Sequence, residues 1–286
     1  MSAVRKAPTA FQGEPGAYSQ MAIFELVGKD APTLACRTFR DAFEAVRGGA
    51  AESALVPIEN STAGSINDTF DLLHGHDLRI VGECYLRVVH CLLARKPVDP
   101  RSLRVILSHP QALAQCEAFL SGLPAEKRAV YDTAGSAKAL SESGSDDEGA
   151  VASALAARLY GLTILREGIE SDGTNTTRFV RVARESWPAT ASAGQKTSLT
   201  FQLPHRPGAL HAALLPFARR GVNLTQLESR PWPGRPFEYV FHLDLEGSES
   251  DAAVAAAIEE LRGSVTSLRV LGSYRAASRD AGRRRE

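Results

Sequence analysis

Apolar and polar positions change their rhythm part-way along the chain. Up to about residue 185, apolar runs at Ser53 to Ile58, Arg87 to Leu93 and Leu103 to Leu107 are each followed by a helix-period pattern. That alternation predicts an α/β region with a largely parallel sheet. Phe11-Gln12-Gly13-Glu14-Pro15-Gly16 reads as a strand-to-helix turn. Ser61 to Leu73 opens with small residues, sets Ser65 and Asp68 at capping-box spacing, and lines up Ile66, Phe70 and Leu73 on one side. It predicts a helix. The acidic stretch Ser141 to Glu148 predicts an exposed loop.

A small-residue, proline-containing segment, 186–195, precedes a region of different pattern and predicts a linker. From Lys196 to Leu203, Leu199, Phe201 and Leu203 alternate onto one face, as a half-buried strand requires. Pro207 and Gly208 punctuate a turn. Leu210, Ala213, Leu214 and Phe217 then recur at helical spacing, with Gly221 placed to cap the end and Pro216 placed to kink the last turn. Asn223 to Arg230 and Glu238 to Leu245 read as strands joined by the proline-rich stretch 231–236. Val254, Ile258 and Leu261 stripe a second helix, and Ser267 to Tyr274 closes the unit. The order βαββαβ predicts a ferredoxin-like split unit. The tail ends in Arg283-Arg284-Arg285, read as a frayed, solvated terminus.

Composition fits this division. A chain of 286 residues suits two domains, and 44% hydrophobic against 23% charged residues supplies packed cores. Thirty-three basic residues balance thirty-three acidic ones, which removes the global positive field that a nucleic-acid partner needs. A small-molecule partner is expected, with no nucleic acid and no membrane. Cys36, Cys84, Cys91 and Cys116 form no Cys-x-x-Cys pair and have no histidine at zinc-site spacing. They are expected as free, mostly buried thiols, and no metal is expected. No signal-peptide pattern opens the chain, and no run of about 18 apolar residues follows. The expected location is the cytoplasm.

In open α/β sheets ligands gather at the carboxyl ends of strands, where helix N-termini present free N–H groups to anions. Four polar clusters fall at such positions. Glu59-Asn60-Ser61-Thr62 follows the run ending at Ile58, and Ser108-His109-Pro110-Gln111 follows Val105 to Leu107. Asp132 to Ser136 precedes a helix expected near Ala137, and Asn175-Thr176-Thr177-Arg178-Phe179 leads into a strand, Phe179 to Val182. Each alone is also the ordinary material of helix caps and turns. The sequence carries no Gly-x-Gly-x-x-Gly, Walker loop, Gly-x-Ser-x-Gly or His-Glu-x-x-His.

At these residues the sequence resembles the prephenate dehydratases of phenylalanine biosynthesis, over almost its whole length. The resemblance rests on Phe11 to Ser19, Val56 to Ser61 with Gly64 and Asp71 to Leu73, Ser108 to Gln111, Gly149-Ala150 with Tyr160-Gly161-Leu162, and Thr177-Arg178-Phe179. Beyond the linker it resembles an ACT regulatory domain, on Gly208-Ala209-Leu210 and Glu228-Ser229-Arg230-Pro231. The chain departs from the family's common residues at His211 and at Tyr131-Asp132.

The resemblance implies a two-lobed, type 2 periplasmic-binding-protein-like catalytic region at 8–185, a linker at 186–195, an ACT domain at 196–275 and a flexible tail at 276–286. One lobe would hold about 10–85 with 168–185 and the other 86–167, so the chain would cross twice and the motifs would meet in one cleft. Only about ten residues precede the first expected strand, so a fused chorismate mutase is not expected. The implied reaction is the decarboxylating dehydration of prephenate to phenylpyruvate, feedback-regulated by L-phenylalanine, with no cofactor. Aromatisation drives it. The barrier lies in expelling a poor leaving group, which needs a proton or hydrogen bond while the ring carboxylate sits in a poorly solvated place.

The resemblance gives Thr177 the central role, donating to the departing hydroxyl. A threonine hydroxyl is a very weak acid, so orienting or relaying a proton stays open beside donation. Glu59, at a strand end among Val56, Pro57 and Ile58, is the competing donor if desolvation raises its pKa, and reads alternatively as a carboxylate accepting from helix N–H groups. Asn60, Ser61, Ser108, Gln111 and Thr133 are expected to bind and orient substrate. Arg178 is expected to hold the pyruvyl carboxylate with its fork, since gripping the ring carboxylate would oppose its loss, and reads alternatively as one half of a structural ion pair. Phe179 would then face the core. Phenylalanine would bind between two ACT domains near Gly208, Ala209, Leu210, Asn223, Glu228, Ser229 and Arg230, which requires a homodimer or homotetramer. Glu228 and Arg230 read alternatively as an ordinary cross-strand surface pair. Arogenate dehydratase, the same elimination on the amino-acid analogue, and a non-catalytic amino-acid sensor are the alternative functions.

Overall fold

A computed structural model describes residues 7–187, 194–232 and 234–278. The centre of the expected linker, the proline at 233 and the arginine-rich end lie outside the described residues. A first sheet begins with β1 (Thr9–Gln12), α1 (Tyr18–Val27), β2 (Thr33–Cys36), α2 (Phe39–Arg47) and β3 (Ser53–Asn60). It continues through the short β4 (Gly64–Ser65), α3 (Asn67–Gly75) and β5 (Arg79–Arg87). The chain leaves at 88–90 and builds a second sheet, starting with β6 (Cys91–Ala94), β7 (Val105–Ser108), α4 (Pro110–Gln115) and α5 (Glu117–Leu120). That sheet is completed by β8 (Glu126–Ala129), α6 (Thr133–Ser143), β9 (Glu148–Ala152), α7 (Ala154–Tyr160) and β10 (Thr163–Glu167). The chain returns through 168–175 to insert β11 (Thr176–Ala183) into the first sheet. Strand orders are β2-β1-β3-β11-β5, with β4 on β3, and β10-β6-β9-β7-β8.

The sheets are mixed rather than largely parallel. β1 runs parallel to β2 and β3, but β11 lies antiparallel between β3 and β5. In the second sheet β7 is parallel to β8 and β9, while β6 is antiparallel to β9 and β10. The double crossing explains this. β5 ends and β11 begins at the passage between the sheets, so neighbours joined through the other lobe run in opposite directions; β6 and β10 mirror the case. Two cores sandwich the first sheet, as the two-residue period of strands requires. Val56, Val180 and Val182 pack with Phe43 and Phe70 on one face. Phe11, Leu55 and Phe179 pack with Ile23 on the other.

Several local expectations shift. α3 starts at Asn67 behind Ile66 with no side-chain cap, so the Ser65–Asp68 capping box does not form. α6 starts at Thr133, earlier than expected, because Asp132 caps it by accepting from the Gly135 N–H at 2.5 Å. Ser141 to Ser143 belong to that helix rather than to a loop.

The third sheet contains β12 (Gln195–Gln202), α8 (Ala209–Arg219), β13 (Leu224–Pro231), β14 (Tyr239–Glu246), α9 (Ala252–Arg262) and β15 (Ser267–Arg275). Its order, β13-β14-β12-β15, is antiparallel throughout, and α8 and α9 cover one face through Phe217, Val254 and Leu261. α8 runs through Pro216. Every residue of β12 is buried, not half of them. The sheet's second face lies against the first sheet, with β15 alongside β5. The approach is so close that a Cβ on Gly272 would overlap the Ile80 carbonyl. No described helix is long and apolar enough to cross a membrane.

Candidate active-site cleft

A cavity of about 890 Å³ lies between the first and second sheets. Six helices begin at its wall, through their N-cap residues Ala17, Thr38, Ile66, His109, Asp132 and Ser153. Each start aims amide N–H groups and the positive end of a helix dipole toward the space, so the cleft favours an anion. Thr38, His109, Asp132 and Ser153 satisfy their own helices by accepting a backbone N–H. Ala17 and Ile66 have no accepting side chain, so none competes with a bound anion at α1 and α3. The lobes meet where Ser153 Oγ donates to the Gly16 carbonyl at 2.6 Å. Gly16, at φ 94°, has no room for a Cβ against the Ala156 backbone.

Thr177 points into the cavity from the start of β11 and is 7% exposed. Its Oγ1 accepts from Asn60 Nδ2 at 2.9 Å, and the same Nδ2 donates to Asn175 Oδ1 at 2.8 Å. Asn60 Oδ1 accepts the N–H groups of Thr62 and Ala63 at 3.1 and 2.9 Å. The amide is therefore fixed from both ends. Because Asn60 donates to it, Thr177 keeps its own hydroxyl hydrogen for an acceptor in the cleft. Gln111 and Thr133 reach the same cavity from the second lobe.

The other expected contacts do not line this cavity. Ser108 is fully buried and donates to the Val151 carbonyl at 2.7 Å. Ser61 Oγ accepts the Thr176 N–H at 3.0 Å and ties down the start of β11. Glu59 pairs with Arg178 and Ser65 in the ladders and sits off the cavity wall, which removes it as the competing donor. Arg178 takes the second of its expected places, a structural ion pair, and not the clamp in the cleft. Strand alternation sends Thr177 and Phe179 to the cleft, and Arg178 to the opposite face. There, 4% exposed, its Nε donates to Glu83 at 2.8 Å, Nη1 to Gln226 at 2.7 Å and Nη2 to Tyr274 at 3.2 Å. Asp244 Oδ2 lies 2.6 Å from Nη2. Burial opposes the charge, and Asp244, Tyr274 and Glu83 more than offset it, so the pKa of Arg178 is raised. The guanidinium is engaged behind the sheet and is not a substrate clamp.

Sequence reasoning missed two features. Arg40, in the first turn of α2, is the one arginine on the cavity wall; it is exposed and forms no ion pair or hydrogen bond among the described residues. It follows Thr38, whose capping box with Asp41 was the available signal. His90, buried in the crossing segment, lies 2.9 Å from the Tyr18 hydroxyl through Nδ1 and 3.0 Å from Gln115 through Nε2. Burial pushes its pKa down. Among the described residues no group of three or more His, Cys, Asp or Glu side chains could hold a metal ion.

A second cavity, of about 280 Å³, lies on the third sheet and includes Gly208, Ala209 and Leu210 beside Trp232, Phe237 and Tyr239. Asn223, Glu228, Ser229 and Arg230 do not line it. Asn223 and Ser229 are exposed. Glu228 accepts from Ser65 Oγ at 2.6 Å, and Arg230 grips Asp71 through Nε and Nη2, each at 3.1 Å. They are neither a cross-strand pair nor part of this cavity; both reach across to the flanks of α3, where Asp71 lines the main cleft.

A family model described as prephenate dehydratase matches residues 9–187. An Arabidopsis thaliana protein named arogenate dehydratase/prephenate dehydratase 2, chloroplastic, is 45% identical over 274 residues, 93% of this chain and 72% of that one. Among solved structures, prephenate dehydratase from Arthrobacter aurescens in complex with L-Phe superposes with a TM-score of 0.86 at 34% identity, covering 94% of this chain and 90% of that one. A structure described as GqqA, a novel type of quorum quenching acylase, matches with a TM-score of 0.86 at 40% identity, covering 94% and 97%. Two further Arabidopsis thaliana relatives, 41% and 43% identical, are also named chloroplastic. These names overturn the cytoplasmic expectation, which rested only on the lack of a recognisable targeting pattern. A family match across the whole two-lobed region, joined to relatives similar over nine-tenths of the chain, identifies it: the chain belongs to the prephenate dehydratase family.

Proposed function

We propose that Thr177 meets the departing hydroxyl of prephenate in the cleft between the lobes of a catalytic region, 8–185. The observation that carries this reading is the Asn60 to Thr177 hydrogen bond, which leaves the threonine hydrogen free toward the cavity. As the C–O bond breaks, the electron pair of the ring C–carboxylate bond becomes ring π density, CO2 departs, and the hydroxyl leaves as water. The dianion becomes a monoanion, so one proton is taken up per turnover; solvent supplies it while Thr177 holds the oxygen. Pro57, Val88 and Phe179 give the ring carboxylate an apolar wall, which favours its loss. Arg40 and the helix N-termini hold the pyruvyl carboxylate, which stays charged throughout. Gln111 and Thr133 orient the ring from the second lobe.

Phenylalanine acts through the ACT domain, 196–275, at the cavity bounded by Gly208, Ala209 and Leu210, with a second copy of the chain completing the site. The test is phenylpyruvate formation by the purified full chain given prephenate, beside arogenate, each with and without phenylalanine. Prephenate turnover suppressed by phenylalanine is expected. Turnover of arogenate alone moves the substrate assignment. Binding of phenylalanine with no turnover favours a sensor, and amide hydrolysis without elimination favours the acylase likeness.

A further inference from the structure

Thr177 and Arg178 are consecutive on β11 and face opposite sides of the first sheet. Behind the catalytic strand, Arg178 is held from three strands of the third sheet: by Gln226 on β13, Asp244 on β14 and Tyr274 on β15. The fourth, β12, joins through Lys196, whose Nζ donates to both oxygens of Glu83 at 2.8 and 2.9 Å. Glu83 in turn accepts from Arg178 and from the Ala277 N–H at 3.0 Å. Ser198 links Asp244 to Tyr274, at 2.5 and 2.7 Å. Two cations and two anions, none more than 8% exposed, thus meet at one point.

Such a cluster is an expensive way to glue two sheets, because desolvation consumes most of the Coulombic gain and an apolar contact would serve as well. What it does is forbid sliding. A displacement of the third sheet by about an ångström either breaks charge-assisted bonds inside a dry interface or carries Arg178 with it. The β3–β11 pairing shifts register between Arg178 and Phe179, so the ladder is irregular right beside Thr177. Irregularities of this kind bend a strand and re-aim its side chains.

We propose that Arg178 is a positioning residue that couples the third sheet to Thr177: rearrangement of β13 to β15 on effector binding is delivered through its guanidinium to β11 and displaces the threonine from its place beside Asn60. This rests on the reading of phenylalanine as the effector of that sheet. The competing route is the Arg230–Asp71 contact on α3, which reaches the cleft wall without passing through β11.

The test uses the full chain. Tyr274→Phe and Gln226→Leu each remove one Arg178 bond while leaving its ion pairs with Glu83 and Asp244. Both are expected to keep kcat and KM for prephenate within about 2-fold and still bind phenylalanine by calorimetry, while the coupling factor between effector and turnover falls at least about 5-fold. Arg178→Lys, which cannot reproduce the fork, is expected to lower kcat by roughly 10-fold or more at nearly unchanged KM. A merely structural role lowers Tm and leaves the inhibition ratio of both mild variants at the wild-type value; that result overturns the inference. So does loss of inhibition in Arg230→Gln alone. Wild-type turnover indifferent to phenylalanine removes the effector reading, and the inference with it.

Discussion

Asn60 and Thr177 face each other as register partners across the β3–β11 ladder, and Asn60 Nδ2 donates to Thr177 Oγ1 at 2.9 Å. The bond sets the polarity of the threonine hydroxyl, since an oxygen that accepts from the sheet side offers its hydrogen to the cleft. Thr177→Val keeps the shape and removes the hydrogen. It is expected to lower kcat by on the order of 10²–10³, the range for loss of one hydrogen-bond donor aimed at developing charge, with KM little changed. Steady-state kinetics with prephenate decide it; a variant as fast as wild type removes Thr177 from the chemistry.

Arg40 shares the cavity wall with three carboxylates, Asp68, Asp71 and Asp132. A dianionic substrate must find its counter-charge in the arginine and the helix starts. Losing one charge-assisted contact costs about 1.5–3 kcal/mol, so Arg40→Gln is expected to raise KM for prephenate roughly 10- to 150-fold and leave kcat nearly intact. Arg40→Lys should recover part of the loss. An unchanged KM would return Arg40 to the solvated surface.

His242 is buried on β14 against Phe70, their ring centroids 4.9 Å apart, and neither ring nitrogen has a hydrogen-bond partner among the described residues. Burial pushes its pKa down to about 3, with His74 adding to the effect and Asp71 opposing it. An unfolded histidine titrates near 6.5. Between those values the unfolded chain binds a proton that the folded chain refuses, so this contribution is full above about pH 6.5 and is lost as pH falls toward 3. The limiting slope is about 1.4 kcal/mol per pH unit. Urea midpoints at pH 7.5 and 5.0 should therefore converge more in His242→Phe than in wild type; equal shifts would place the acid sensitivity elsewhere.

Gly272 lies where β15 touches β5, at φ 149°. Gly272→Ala pushes a methyl carbon into the Ile80 carbonyl, a backbone atom that no rotamer change can move aside. Overpacking of this kind costs about 1–3 kcal/mol, so Tm should fall by roughly 2–10 °C. Gly75→Ala, where nothing lies within 4 Å of the added carbon, serves as the control. Equal Tm for the two variants would show that the sheets separate easily.

Much was legible in the sequence because it is written in local periodicity. The βαββαβ order, the α/β alternation before it, and the strand-end positions of Asn60, Gln111, Thr133 and Thr177 follow from spacing, turn residues and family motifs. Parallel pairing was misjudged because strand direction depends on where the chain re-enters a sheet, and β11 returns only after the whole second lobe has been built. Arg40 was overlooked because its role depends on what faces it from other elements, while its own neighbours look like any amphipathic helix start.

Thr177 and Arg178 show where the division falls. By itself the sequence carried the period of two that turns neighbouring side chains to opposite faces of a strand, while the family resemblance pointed both toward substrate. It also supplied the motif residues that identify the family. Tertiary structure alone decided which face is the cleft. Glu83, Gln226, Asp244 and Tyr274 come from four strands and draw the guanidinium behind the sheet, with Lys196 on a fifth holding Glu83, while in front Asn60 bonds the hydroxyl and six helix N-caps line the same cavity. Alternation fixes relative orientation; absolute orientation is chosen by the charges and apolar surfaces that long-range packing brings to each side.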